Sequence, residues 1–183
     1  MFYIEDGKGS GNKVGVTNEN RLMSECITLS GEHHTNHHNG EAYNLLYSDD
    51  TADNTYFMYM KNTSDNYDIS FEGIDVRSAA NVVIEVRIVT GTASGTEATP
   101  ANLNCGAGNE ADGDFYIGTV AGLTNRTILQ RYWVAAGNES NHFNFEQDII
   151  VSRGQAIALY TETADGSALG VTANFNYHNI EGI

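Results

Sequence analysis

Basic residues, cysteine, proline and long apolar runs are all scarce in this sequence, and each shortage excludes something. Nine Lys and Arg stand against 24 Asp and Glu, a formal net charge of −15. Affinity for phosphate backbones rests on basic groups, so this balance argues against nucleic acid or an anionic membrane as a partner. The two cysteines in 183 residues, Cys26 and Cys105, are too few for a disulfide-dependent secreted scaffold, and free thiols in a reducing cytoplasm are the simpler reading. No segment approaches 18 consecutive apolar residues, so no membrane-spanning helix is expected. The opening MFYIEDGKGSGNKVG lacks a basic stretch followed by an apolar run and is not read as a signal peptide. Helical periodicity is missing as well: helix is confined to a turn or so near residues 18–24.

What the sequence has instead is two-residue alternation between clusters of Gly, Asn and Asp, the mark of half-buried strands. The stretch 55–61, TYFMYMK, puts aromatics and methionines on both faces and reads as a strand buried on both sides. After the turn-like Asn62-Thr63-Ser64-Asp65 comes YDISFEGIDV, and the pair reads as an antiparallel hairpin. Residues 82–90 alternate, as do Val171, Ala173, Phe175 and Tyr177 against Thr172, Asn174, Asn176 and His178. An Asp165-Gly166 turn leads into that last strand from the one near 157–161. With weaker runs at 14–17, 22–29, 42–47, 115–119, 127–134 and 147–151, roughly ten strands are predicted. Short strands at regular spacing predict an all-β, two-sheet antiparallel β-sandwich of jelly-roll type. Residues 1–13 are expected as a flexible N-terminal arm and 14–183 as one domain of ordinary size. The Gly/Thr/Asn-rich stretch 90–114, which holds the only proline, Pro100, is expected as a long loop that contacts a neighbouring subunit.

Candidate chemistry is thin. His33, His34, His37 and His38 in GEHHTNHHNG are weak candidates for a metal site, because imidazoles bind zinc, copper and nickel. Flanking glycines argue for a loop, and the preferred reading is an exposed or interface patch, with one His per chain meeting on the axis if the protein is a trimer. Asp49, Asp50 and Asp53, and Glu110, Asp112 and Asp114, are acidic clusters that do not match a calcium loop, and Asp is also a turn residue. No G-x-S-x-G, phosphate loop or cysteine signature occurs. Sequons at Asn62, Asn125 and Asn138 arise at chance frequency. Of the aromatics, Phe57, Tyr59, Phe71, Phe175 and Tyr177 fall at alternating core positions, and Trp133 is the candidate for stacking on a sugar. No catalytic residue and no cofactor are assigned.

The blocks EDGKGSGNKVGVTNENRL, HHTNHHNGEAYNLLY, YFMYMKNTSDNYDISFEGI and TGTASGTEATPANLN, 67 of the 183 residues, resemble small virion proteins of tailed phages of aquatic bacteria. The resemblance implies a β-sandwich head protein, such as a capsid decoration (cement) protein. Such a protein would be made in the host cytoplasm and bind the major capsid protein on the capsid exterior as a homotrimer. The motifs contain no active site, so no functional residue is carried over. The alternatives are a carbohydrate-binding receptor-recognition or fibre/tail domain and, third, a glycan-degrading enzyme. Residues 1–17 and 90–114 are expected to make the contacts with other subunits.

Overall fold

A computed structural model describes residues 3–5, 13–15, 36, 40–137, 139–164 and 166–179. The chain divides into two compact units, Met1–Ser30 and Gly31–Ile183. In the first, β1 (Tyr3–Glu5) and β2 (Lys13–Gly15) pair antiparallel, with Tyr3 opposite Gly15. The segment expected as a flexible arm, 1–13, thus contains β1 and the first residue of its partner strand β2. The helical turn expected near 18–24 and the run at 22–29 lie outside the described residues.

The second unit holds β3 (Ala42–Asp50), β4 (Thr55–Asn62), β5 (Tyr67–Ser78), β6 (Val82–Glu97), β7 (Ala101–Asn102), β8 (Gly113–Val134), β9 (Asn141–Val151), β10 (Ala156–Thr163) and β11 (Ala168–Asn179). It is all-β, with two antiparallel sheets packed together. One sheet has the order β7-β3-β11-β5-β9, and the other four strands close into a ring, β10-β4-β8-β6. The pairing is nested: β3 with β11, β4 with β10, β5 with β9 and β6 with β8. The unit is therefore one long antiparallel ribbon whose two halves pair from the ends inward to the β6–β8 tip. Rolling that ribbon brings β5 beside β11 and β6 beside β10.

This topology corrects one expectation. β4 and β5 do not form a hairpin, because β4 belongs to the ring and β5 to the five-stranded sheet. Both edges of β4 are already taken, by β10 and β8. The corner between the sheets is held by Asn62, which is 0% exposed. Its amide nitrogen donates to the Tyr67 carbonyl at 2.8 Å and the Val151 carbonyl at 2.9 Å, and its oxygen accepts from Ser64 N–H at 2.9 Å. Side-chain bonds of this kind satisfy the backbone where the ladders end. They also explain why the Asn62 sequon has no access to a glycan.

The main core lies between the sheets. Phe57, Phe71, Phe175, Ile69, Ile74 and Ile84 are nearly or fully buried there. Burying each such side chain contributes about 1.5–3 kcal/mol. Phe115 of β8 stacks on Phe175 of β11 at 5.5 Å, and Tyr47 of β3 meets Phe57 of β4 at 5.1 Å, so aromatic contacts join the layers directly. A second, smaller core of Tyr59, Val89, Val120, Ala156 and Ala158 packs on the other face of β4 and β10. Small side chains suit a ring of only four strands, whose interior has little room. β4 is accordingly buried on both faces, as its sequence predicts. Tyr59 sits in this second core, where burial and then the Asp114 charge push its phenol up to about 12.

About half of the expected 90–114 loop is strand, and residues 103–112 remain a connection between strands. Residues 90–97 extend β6, and β8 begins at Gly113. The β6–β8 ribbon must curl so that the start of β8 reaches β4, where Asn62 opposes Gly113 and Tyr56 opposes Val120. Two glycines allow the curl. Gly91 and Gly122 have φ of 113° and 79°, and a Cβ on either would lie 2.2 Å from a backbone oxygen of the opposite strand. A Gly-rich composition that reads as loop is here the requirement of a bent ribbon.

Candidate interaction sites

The face of β6 opposite the core carries a closed charge cluster. Ile84 and Val86 point into the main core, so Glu85 and Arg87 point the other way. Glu85 is 0% exposed. It accepts from Arg87 Nε at 2.6 Å and from Arg131 Nε at 2.7 Å. The Arg87 guanidinium lies 3.3 Å from the centre of the Tyr160 ring and donates to the Tyr56 hydroxyl at 3.4 Å. Arg131 also reaches Glu162 at 3.3 Å. A carboxylate held by two guanidinium groups is not available as a general base or as a metal ligand. The cluster is structural: removing one member would strand buried charge.

A second gathering of tyrosines and acids lines an open cleft of about 340 Å³. Among the described residues its walls include Glu41, Tyr43, Tyr67, Glu110, Asp112 and Tyr177. Tyr43 and Tyr67 meet the Tyr177 ring edge-on, at 5.6 and 6.2 Å. Tyr177 is 4% exposed, and among the described residues its hydroxyl has no hydrogen-bond partner, with the Asp112 backbone beside it. Burial first, then Asp112 and Tyr43, raise the Tyr177 phenol well above its ordinary value. Glu41 is the leading cause of the upward shift at Tyr67, and burial followed by Glu41 raises Tyr43. Burial leads at Tyr177 and Tyr43, and the neighbouring acids add to the shift at Tyr43, Tyr67 and Tyr177.

The third feature is an edge. β8 pairs with β4 only as far as Val120, and among the described strands nothing pairs with that side of β8 from Ala121 to Val134. Trp133 near the end of this edge is 71% exposed, and Ile128 is exposed as well. Trp133 also lines an open cleft of about 610 Å³ together with Asp53, Asn81, Val83 and Thr163. The outward face of the five-stranded sheet is polar by contrast, with rows Leu46–Thr172–Asp75–His142 and Asn44–Asn174–Gly73–Asn144. Asp75 accepts from Asn174 at 3.1 Å and lies 2.6 Å from His142 Nδ1.

The weak metal candidates His33, His34, His37 and His38 lie outside the described residues. Among the described residues no three His, Cys, Asp or Glu side chains converge as a metal site would require. The Glu110–Asp114 cluster is split: Glu110 and Asp112 face the tyrosine cleft, while Asp114 pairs with Lys61 at 3.5 Å. Asp53 accepts from the Ala164 N–H. Cys105 is free and exposed. The predicted core aromatics Phe57, Tyr59, Phe71, Phe175 and Tyr177 are all buried. Sequence reasoning missed the Glu85 cluster and the tyrosine cleft. Both draw residues from strands far apart in the chain, and only the unusual Glu85 and Arg87 within a Val/Ile strand offered a signal. No helix among the described residues is long and apolar enough to cross a membrane. No family model, curated protein or solved structure matches the chain.

Proposed function

We propose that this chain is a virion structural protein, a capsid decoration protein that binds the major capsid protein on the capsid exterior as a homotrimer and stabilises the head. Its fold on this reading is a jelly roll. The nested pairing supports that winding, because eight strands lie in the orders β3-β11-β5-β9 and β4-β10-β6-β8, as when one long hairpin is rolled into two sheets. The observation that carries the functional reading is the unpaired side of β8 from Ala121 to Val134, with Trp133 beside it. A long open edge is a template for strand addition, and an exposed Trp is a strong anchor in protein interfaces. The charges of Arg126 and Arg131 on the same strand restrict which partners fit. The formal charge of −15 keeps such a protein soluble at high concentration before assembly.

The test is co-sedimentation of purified protein with capsids that lack it. Saturable binding that Trp133→Glu abolishes, with thermal stability unchanged, is the expected result. Failure of the wild-type protein to bind would refute the reading. A second reading, recognition of a surface glycan by a receptor-binding or fibre domain, is favoured by one observation: Trp133 stands exposed over a cleft that also offers Asp53, Asn81 and Thr163. Trp133 is the only tryptophan, so its fluorescence would report host polysaccharide binding directly.

A further inference from the structure

We propose that two open strand edges of this chain fit each other between copies: the Leu45–Asp50 edge of β3 in one copy receives the Ala121–Val134 edge of β8 in the next. On one side β3 pairs with β11 along its whole length, but on the other it meets β7 only at Tyr43 and Asn44. Among the described strands nothing else lies on that side of β3, as nothing lies beside β8 beyond Val120. Such edges are templates for main-chain hydrogen bonding. The fold keeps the two apart within one molecule. Across the sheet from β3 come β11, β5 and β9, and the second half of β8 lies on the β9 side, where Tyr132 meets the Phe143 ring at 4.5 Å. Three strand spacings of about 4.8 Å separate β3 from β9, so the β3 edge can take up only the β8 of another copy.

Charge makes the edges complementary. From Ala42 to Met60 the sequence holds Asp49, Asp50 and Asp53 and no Lys, Arg or His; from Phe115 to Asn138 it holds Arg126 and Arg131 and no acid. Asp49, Asp50 and Arg126 are exposed, whereas Arg131 is held by Glu85 and Glu162. Each edge also presents a large exposed apolar side chain close to these charges, Leu46 at 57% and Ile128 at 40%. An antiparallel alignment that sets Leu46 against Ile128 places Asp49 and Asp50 on the Arg126 side of that contact. A parallel one would place them toward Arg131, whose charge is already engaged. Two β8 edges facing each other would oppose arginines, and two β3 edges would oppose aspartates, so neither edge suits a copy of itself. The contact is therefore heterologous: each copy offers one edge and accepts with the other, and contacts of that kind close into rings.

This inference rests on the reading of the chain as a homotrimer and names the contact that would build it; capsid binding is a separate claim. The experiment is disulfide trapping in chains that carry Cys26→Ser and Cys105→Ser. Leu46→Cys and Ile128→Cys variants are co-expressed and oxidised, since opposed side chains on paired antiparallel strands come close enough to bridge. A covalent two-chain band from the mixture, and none from either variant alone, is the expected result. Charge reversal gives a second readout by light scattering. Arg126→Asp should raise the concentration for half-assembly about tenfold, because like charges then face each other. Asp49→Lys with Asp50→Lys should do the same, and combining all three should restore assembly, with circular dichroism unchanged throughout. A band from Ile128→Cys alone would show β8 on β8, and one from Leu46→Cys alone β3 on β3; either overturns the proposal. So does a trimer that gives no band from the mixture and ignores the charge reversals. A wild-type monomer overturns both the contact and the trimer. A trimer that passes these tests yet leaves capsids unbound keeps the contact and removes the capsid partner.

Discussion

Tyrosines and carboxylates come together at two places in this molecule, and the two differ in how fully their buried polar atoms are engaged. On β6, Glu85 is fully enclosed, and both of its oxygens are engaged by Arg87 and Arg131. In the cleft at Tyr177, three phenols line the walls with Glu41, Glu110 and Asp112, and among the described residues the buried Tyr177 hydroxyl has no hydrogen-bond partner. The first arrangement is complete within the fold and can only contribute to structure. The second leaves one buried hydroxyl, that of Tyr177, unpaired among the described residues.

The largest effect belongs to the completed cluster. Glu85→Ala leaves two arginines without their shared acceptor and should cost about 3–5 kcal/mol in denaturant unfolding. A loss near zero would mean that the cluster is wet and the contrast false. Arg131→Ala should cost less, about 1 kcal/mol, because that side chain is 38% exposed and water takes over part of its role. The buried phenols answer to pH instead. A phenol whose value is raised in the folded state favours folding below pH 10 and loses that contribution as the pH climbs through the folded value. Tyr59 at about 12, and Tyr177 with its upward shift, should therefore make the protein lose stability between about pH 10 and 12. Tyr59→Phe should move the alkaline unfolding midpoint upward in circular dichroism. The smallest effect is the most telling: Tyr177→Phe should change stability by less than about 0.5 kcal/mol, because no bond is lost with that hydroxyl. A large loss would place Tyr177 with Glu85 among structural groups and erase the comparison.

Much of the fold was legible because alternation reports burial directly. TYFMYMK, with apolar groups on both faces, named a doubly covered strand, and β4 does separate the two cores. Sequence could not say which strand pairs with which. The short link after Asn62 looked like a hairpin turn, yet the side chain of Asn62 bonds to Tyr67 and to Val151, on two strands of the opposite sheet. Gly91 read as loop for a similar reason, since composition does not distinguish a flexible glycine from one pressed against a backbone oxygen. The exposed candidate Trp133 could be singled out from sequence. The tyrosine cleft could not, because Glu41, Tyr67, Asp112 and Tyr177 converge only once the ribbon is rolled.

The central claim is that this chain builds assemblies through surfaces left open by its fold, above all the unpaired side of β8. Light scattering of the purified protein tests it most directly. A mass three times the 19.9 kDa chain, falling to one chain mass in Trp133→Glu with its circular dichroism intact, is the expected result. A monomer at micromolar concentration that also leaves capsids unbound would contradict it.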